Sequence, residues 1–141
     1  MDIRQLTPNY AVSPQIDPED LPAIAAAGFT TVINNRPCFE IPPSHQVDPM
    51  RQAAQAAGLE FVVLPVSHDT LSADLAAQQK AACAAASGPV LAYCASGTRC
   101  TIVWAMMTAG DVETDDIVTT AAAHGYDLSM MRAQLDALSG G

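Results

Sequence analysis

The stretch from Gly88 to Trp104 constrains the fold of this chain more than any other. Gly88-Pro89 breaks a helical pattern, and Val90-Leu91-Ala92-Tyr93 has the composition of a buried strand. Ala95 to Gly97 are small, and from Thr98 onward apolar residues return at helical spacing through Trp104. A strand, a tight loop and a helix in that order put residue 94 where the strand ends, facing loop N–H groups and the positive end of a helix dipole. Arg99 adds a cation beside it. A free thiol titrates near 8.5, whereas cysteines at helix N-termini beside Arg fall to about 3.5–7.5. Cys94 therefore reads as a thiolate nucleophile in an anion socket whose remaining members are Ala95, Ser96, Gly97 and Thr98.

The rest of the chain supplies a scaffold for that loop. Tyr10 to Ser13 reads as a short strand, and Asp17-Pro18 with acids in the next turn starts a helix over 18–27 that Gly28 ends. Phe29 to Asn34 is β-branched and apolar, the mark of a buried parallel strand, and Leu59 to Leu64 reads as another. Between them the proline-containing segment 38–46 is irregular, and Asp48-Pro49 opens a helix running to Ala57. Ser72 caps an alanine-rich helix ending at Ser87-Gly88. Residues 114–124 and 129–138 read as two further helices, with a frayed Ser139-Gly140-Gly141. Strands alternating with helices, then a helical tail, predict one α/β domain over 1–141, with a four-stranded, mostly parallel sheet flanked by helices.

Composition excludes several function classes. Half of the 141 residues are apolar, enough for one core without disulfides or metal. The formal net charge of −9 argues against nucleic acid or an anionic membrane surface as partner. No apolar stretch has signal-peptide or membrane-span length, which leads to the expectation of a cytoplasmic protein with reduced thiols. Neither Cys-x-x-Cys nor paired His spacing points to a metal, His45, His68 and His124 are scattered, and no glycine-rich nucleotide fingerprint is present. No cofactor is expected. Cys83 and Trp104 read as core residues, Cys38 as exposed.

Cys94-Ala95-Ser96-Gly97-Thr98-Arg99 resembles the signature loop of two superfamilies, the cysteine-based protein tyrosine phosphatases and the rhodanese sulfurtransferases. The phosphatase signature places five residues between Cys and Arg, whereas this chain has four, the rhodanese length. Over residues 7–110, Ser13-Pro14-Gln15, Ala27-Gly28-Phe29, Val32-Ile33-Asn34-Asn35-Arg36-Pro37 and Gly88-Pro89-Val90-Leu91 resemble the bacterial beta-lactamase hydrolase-like family, also called DUF442. That resemblance implies a dual-specificity-phosphatase-like scaffold with sheet order 1-4-2-3 and the Cys94 strand central. The family is labelled both phosphatase and sulfur transferase. Against its pattern, Ala95 replaces a residue that is often Arg, Cys38 stands where an acid is expected, and Cys100 replaces a Ser whose hydroxyl helps the phosphatase cysteine leave.

Phosphate-ester hydrolysis also needs a general acid, worth about 10²–10⁴-fold. Asp69, on the loop after the third strand, is placed to supply one, though it equally suits a solvated turn. Arg36 fits both a second cation at the mouth and a plain surface loop. Cys100, in the first turn after the loop, could pair with Cys94, accept sulfur from it, or simply fill the core. The resulting expectation is a cysteine-dependent sulfurtransferase. It would move sulfane sulfur from a small donor through a Cys94 persulfide to a thiol acceptor, with Arg99 and the loop amides holding the anion. The alternatives are a tyrosine or dual-specificity phosphatase using Cys94, Arg99 and Asp69, and a non-catalytic Cys94/Cys100 thiol sensor.

Overall fold

The computed structural model describes residues 2–67 and 70–140. Its strands are β1 (Arg4–Thr7), β2 (Tyr10–Ser13), β3 (Thr31–Asn34), β4 (Glu60–Val63) and β5 (Val90–Tyr93). They form one sheet in the order β1-β2-β5-β3-β4. The last four are parallel and in step, with Tyr10 and Thr31 both opposite Val90 and Thr31 also opposite Glu60. These four reproduce the expected order 1-4-2-3, with the Cys94 strand inside.

The expected strand count of four is corrected to five. β1 pairs antiparallel with β2, Arg4 opposite Val12, so the sheet is mixed. Arg4-Gln5-Leu6-Thr7 buries only Leu6, which suits an edge and leaves no apolar run to read.

Alternation along β5 divides the core between the two faces of the sheet. Leu91 and Tyr93 face α1 (Leu21–Ala26) and α2 (Val47–Ala56), meeting Ile24 and Met50. Val90 and Ala92 face α3 (Ala73–Ala85) and α4 (Thr98–Thr108), meeting Leu75, Val103 and Trp104. Cys94 continues this second series, which aims it toward α4. Further out, α5 (Thr114–Ala123) and α6 (Arg132–Gly140) bury Ile117, Ala121 and Leu135 in the same cluster.

Helix boundaries differ from expectation in several places, among them 129–131, a 3-10 turn before α6, and the end of α3 at Ala85. Residues 18–20 form a 3-10 turn before α1, closed by Asp17 N–H donating to Asp20 Oδ2 at 2.9 Å. In α2, Asp48-Pro49 lies inside the first turn and Gln46 is the boundary, because first-turn N–H groups need no helical partner and proline is tolerated there. The predicted fray at Ser139-Gly140 is instead the end of α6. Among the described residues no helix is long and apolar enough to cross a membrane.

Candidate active site

Two neighbouring strands hold the end of β5. Cys94 N–H donates to Ser13 O at 3.3 Å, and Asn35 N–H donates to Tyr93 O at 2.9 Å. The chain then turns through Gly97, whose φ of +92° lies in the left-handed region that glycine enters without a Cβ penalty, and α4 begins at Thr98. Thr101 fastens this turn, its N–H and its Oγ1–H both donating to Gly97 O at 3.0 and 2.8 Å. Gly97 N–H donates to Cys94 Sγ at 3.2 Å. The expected socket is therefore folded around the sulfur itself.

Cys94 has no solvent-exposed surface, which by itself would raise a thiol pKa. Its pKa is instead lowered to about 5, first by a hydrogen bond from the Cys100 thiol, with the backbone N–H groups of Cys100, Gly97 and Ser96 adding to it against burial. Cys100 is buried as well, and burial holds its pKa well above the usual value, so it keeps its proton and donates. Of the roles left open for Cys100, the structure shows a buried residue that also acts as hydrogen-bond donor to Cys94.

Arg99 has partners that sequence reading did not foresee. Its Nη1 donates to Glu40 Oε2 at 2.9 Å and to Val66 O at 3.0 Å, and its Nη2 to Glu40 Oε1 at 2.8 Å. Arg36 reaches the same glutamate, with Nη2 donating to Glu40 O at 3.0 Å and Nε lying 3.4 Å from Oε1, while its Nη1 donates to Gln15 Oε1 at 3.0 Å. Both cations thus share one carboxylate. The Arg99 hydrogen bond, helped by Arg36, holds the Glu40 carboxyl below its ordinary value, so it is ionised at neutral pH. Glu40 is a site residue that sequence reading missed. The available signal was that segment 35–46, at the carboxyl edge of the sheet, holds one acid, with Arg99 expected at that edge and Arg36 there in one of its two readings.

Further partners of the loop were missed. Tyr126 Oη–H donates to Ser96 O at 3.0 Å. Behind the loop runs a buried polar chain: Tyr10 Oη donates to Cys100 O at 3.3 Å, Gln79 Nε2 to Tyr10 Oη at 2.8 Å, and Asn35 Nδ2 to Gln79 Oε1 at 2.7 Å.

The remaining expected site residues divide. Ala95, Ser96 and Thr98 form the exposed rim, where Ser96 Oγ–H donates to Thr98 Oγ1 at 3.0 Å. Asp69, the candidate acid, and His68 lie outside the described residues, as does the Cys38 side chain. Cys83 is half-buried, and burial raises its thiol to about 11, which makes it inert. Trp104 is a core residue. Among the described residues no three His, Cys, Asp or Glu side chains are grouped to hold a metal.

Comparison with known proteins adds context. The family model described as "Beta-lactamase hydrolase-like protein, phosphatase-like domain" matches residues 2–111. A beta-lactamase hydrolase-like protein of Agrobacterium fabrum is 39% identical over 113 residues, covering 77% of this chain and 26% of the relative. This chain therefore spans about a quarter of that protein. A Neisseria meningitidis crystal structure, described as a candidate phosphatase, has a TM-score of 0.83 at 32% identity, covering 98% of this chain and 99% of that one. The structure of Tk-PTP in its active form, with a TM-score of 0.75 at 14% identity over 99% of this chain and 97% of its own, shares the fold.

Proposed function

This chain belongs to the beta-lactamase hydrolase-like protein family, whose phosphatase-like domain it carries, and on that footing we propose that Cys94 accepts a sulfane sulfur. Cys94 Sγ⁻ attacks the outer sulfur of a donor such as thiosulfate. A sulfur–sulfur bond to Cys94 forms, the donor's own sulfur–sulfur bond breaks, and sulfite leaves with the electron pair. An acceptor thiolate then attacks the outer sulfur of the Cys94 persulfide, forms its own persulfide and returns Cys94 as thiolate.

The observation that carries this reading is the size of the loop. Four residues separate Cys94 from Arg99, and the amide of the third residue after Cys94 already closes onto its sulfur at 3.2 Å. A ring this tight suits the arrival of one sulfur atom better than the seating of a tetrahedral phosphate. Two further features support it. The residue after Arg99 offers Cys94 a thiol proton and not a hydroxyl, and Glu40, the carboxylate joined to Arg99, is ionised and has no proton to give a leaving alcohol. Sulfur transfer needs no such proton.

Phosphate-monoester hydrolysis is the second reading, and the comparisons favour it. The family description and the Neisseria likeness both point to a phosphatase. Cys94 would then form a thiophosphate, with Asp69 protonating the leaving oxygen.

The same nucleophile serves both reactions, so the test supplies both substrates. Wild type and Cys94→Ser are incubated separately with thiosulfate alone for intact mass, with thiosulfate plus a thiol acceptor for sulfite release, and with an aryl phosphate for aryl alcohol release. The expected result is sulfite release with a mass gain of one sulfur, lost in Cys94→Ser. Steady aryl phosphate turnover without sulfur transfer would establish the second reading.

A further inference from the structure

The peptide unit between Ser96 and Gly97 is engaged at both ends. Gly97 N–H donates to Cys94 Sγ at 3.2 Å, while Ser96 C=O accepts from Tyr126 Oη–H at 3.0 Å. A trans peptide is planar, and its N–H and C=O point in opposite directions, so whatever fixes the carbonyl also fixes where the amide points. We propose that Tyr126 is a positioning residue of the Cys94 site, aiming the Gly97 amide at the nucleophilic sulfur through the Ser96–Gly97 peptide.

Independent features of the structure converge on this contact. The Tyr126 ring is buried, and the Arg4 guanidinium lies over it at 4.9 Å while Arg4 Nη1 donates to His124 O at 3.0 Å. The phenol is thus anchored by β1 on one side and by the turn after α5 on the other. Burial raises its pKa, so it keeps the proton it donates. The approach is close: a Cβ on Gly97 would lie 2.1 Å from Tyr126 Oη. A hydrogen bond to the carbonyl also polarises the peptide and strengthens its N–H as a donor. Tyr126 lies beyond residue 111, where the family match ends, so a segment outside that match reaches the loop.

The inference rests on Cys94 being a thiolate and not on which group it accepts, so its test needs no substrate. The titratable groups facing Cys94 are Cys100, Arg99, Tyr10 and Tyr126 itself. Tyr126→Phe keeps the ring and its contact with Arg4 and removes the donor. The Cys94 midpoint is read from thiolate ultraviolet absorbance against pH, subtracting the matching protein that also carries Cys94→Ser so that other thiols and phenols cancel. The midpoint is expected to rise by about one unit, roughly tenfold less thiolate at a pH below both midpoints. Site-specific 3-fluorotyrosine at 126, a stronger donor of nearly the same shape, is expected to lower it.

A purely structural tyrosine would change the unfolding temperature and leave the midpoint in place. An unmoved midpoint in folded Tyr126→Phe overturns the proposal. Should that variant fail to fold, an unmoved midpoint with 3-fluorotyrosine overturns it equally.

Discussion

Burial and ionisation pull Cys94 in opposite directions, and its surroundings decide between them. Removing a thiolate from water disfavours it, but a protonated Cys100 thiol and three amides donate to this one. Hydrogen bonding therefore outweighs desolvation, and the loop amides expected around the sulfur are joined by a donor that sequence reading did not foresee in that role, the Cys100 thiol. With the midpoint lowered to about 5, the sign of the pH dependence follows. Thiolate is the reacting form, so single-turnover transfer from thiosulfate should fall about tenfold per pH unit on the acid side of the midpoint and level off toward neutrality. Stopped-flow sulfite release from pH 4 to 8 measures this, and a midpoint near 8 or above would show that the hydrogen bonds do not hold the thiolate.

At the scale of elements, α3 does more than cover the sheet. Its Gln79 is fully buried and joins Asn35, at the end of β3, to Tyr10 of β2, which in turn holds the Cys100 carbonyl in α4. Gln79→Ala would take hydrogen-bond partners from two buried residues, Asn35 and Tyr10, and open a cavity, and is expected to cost about 2–4 kcal/mol, read as a shift of the urea midpoint. A cost below about 0.5 kcal/mol, the range of ordinary surface substitutions, would mean that the chain of hydrogen bonds does not brace the sheet. Gln79 also marks where sequence reading stops. The apolar runs of β3 and β5 and the Cys94 turn were legible because their signals lie within one short window. Gln79 meets Asn35 across 44 residues, Glu40 meets Arg99 across 59, and Tyr126 meets Ser96 across 30, and no local pattern marks such partners. β1 escaped for a related reason, since its place in the sheet is set by pairing and not by an apolar run.

Across the whole molecule, the sheet and the C-terminal helices meet at the Cys94 loop. α5 and α6 contribute Ile117, Ala121 and Leu135 to the core shared with α4, and the turn after α5 brings Tyr126 over Gly97. Gly97→Ala should therefore be doubly penalised, by a left-handed backbone and by overlap with the phenol, at about 2–4 kcal/mol. Without the Tyr126 hydroxyl, the nearest ring atom to a Cβ at 97 is Cζ at 3.0 Å and part of the overlap disappears. A double-mutant cycle of Gly97→Ala with Tyr126→Phe, followed by thermal unfolding, should then show the pair costing about 1 kcal/mol less than the two single changes together. Strict additivity would mean that the loop yields freely to the added methyl. Anyone re-engineering this loop to accept a bulkier reactant would thus have to treat positions 97 and 126 as one design variable, because the room for any side chain at the first is set by the reach of the second.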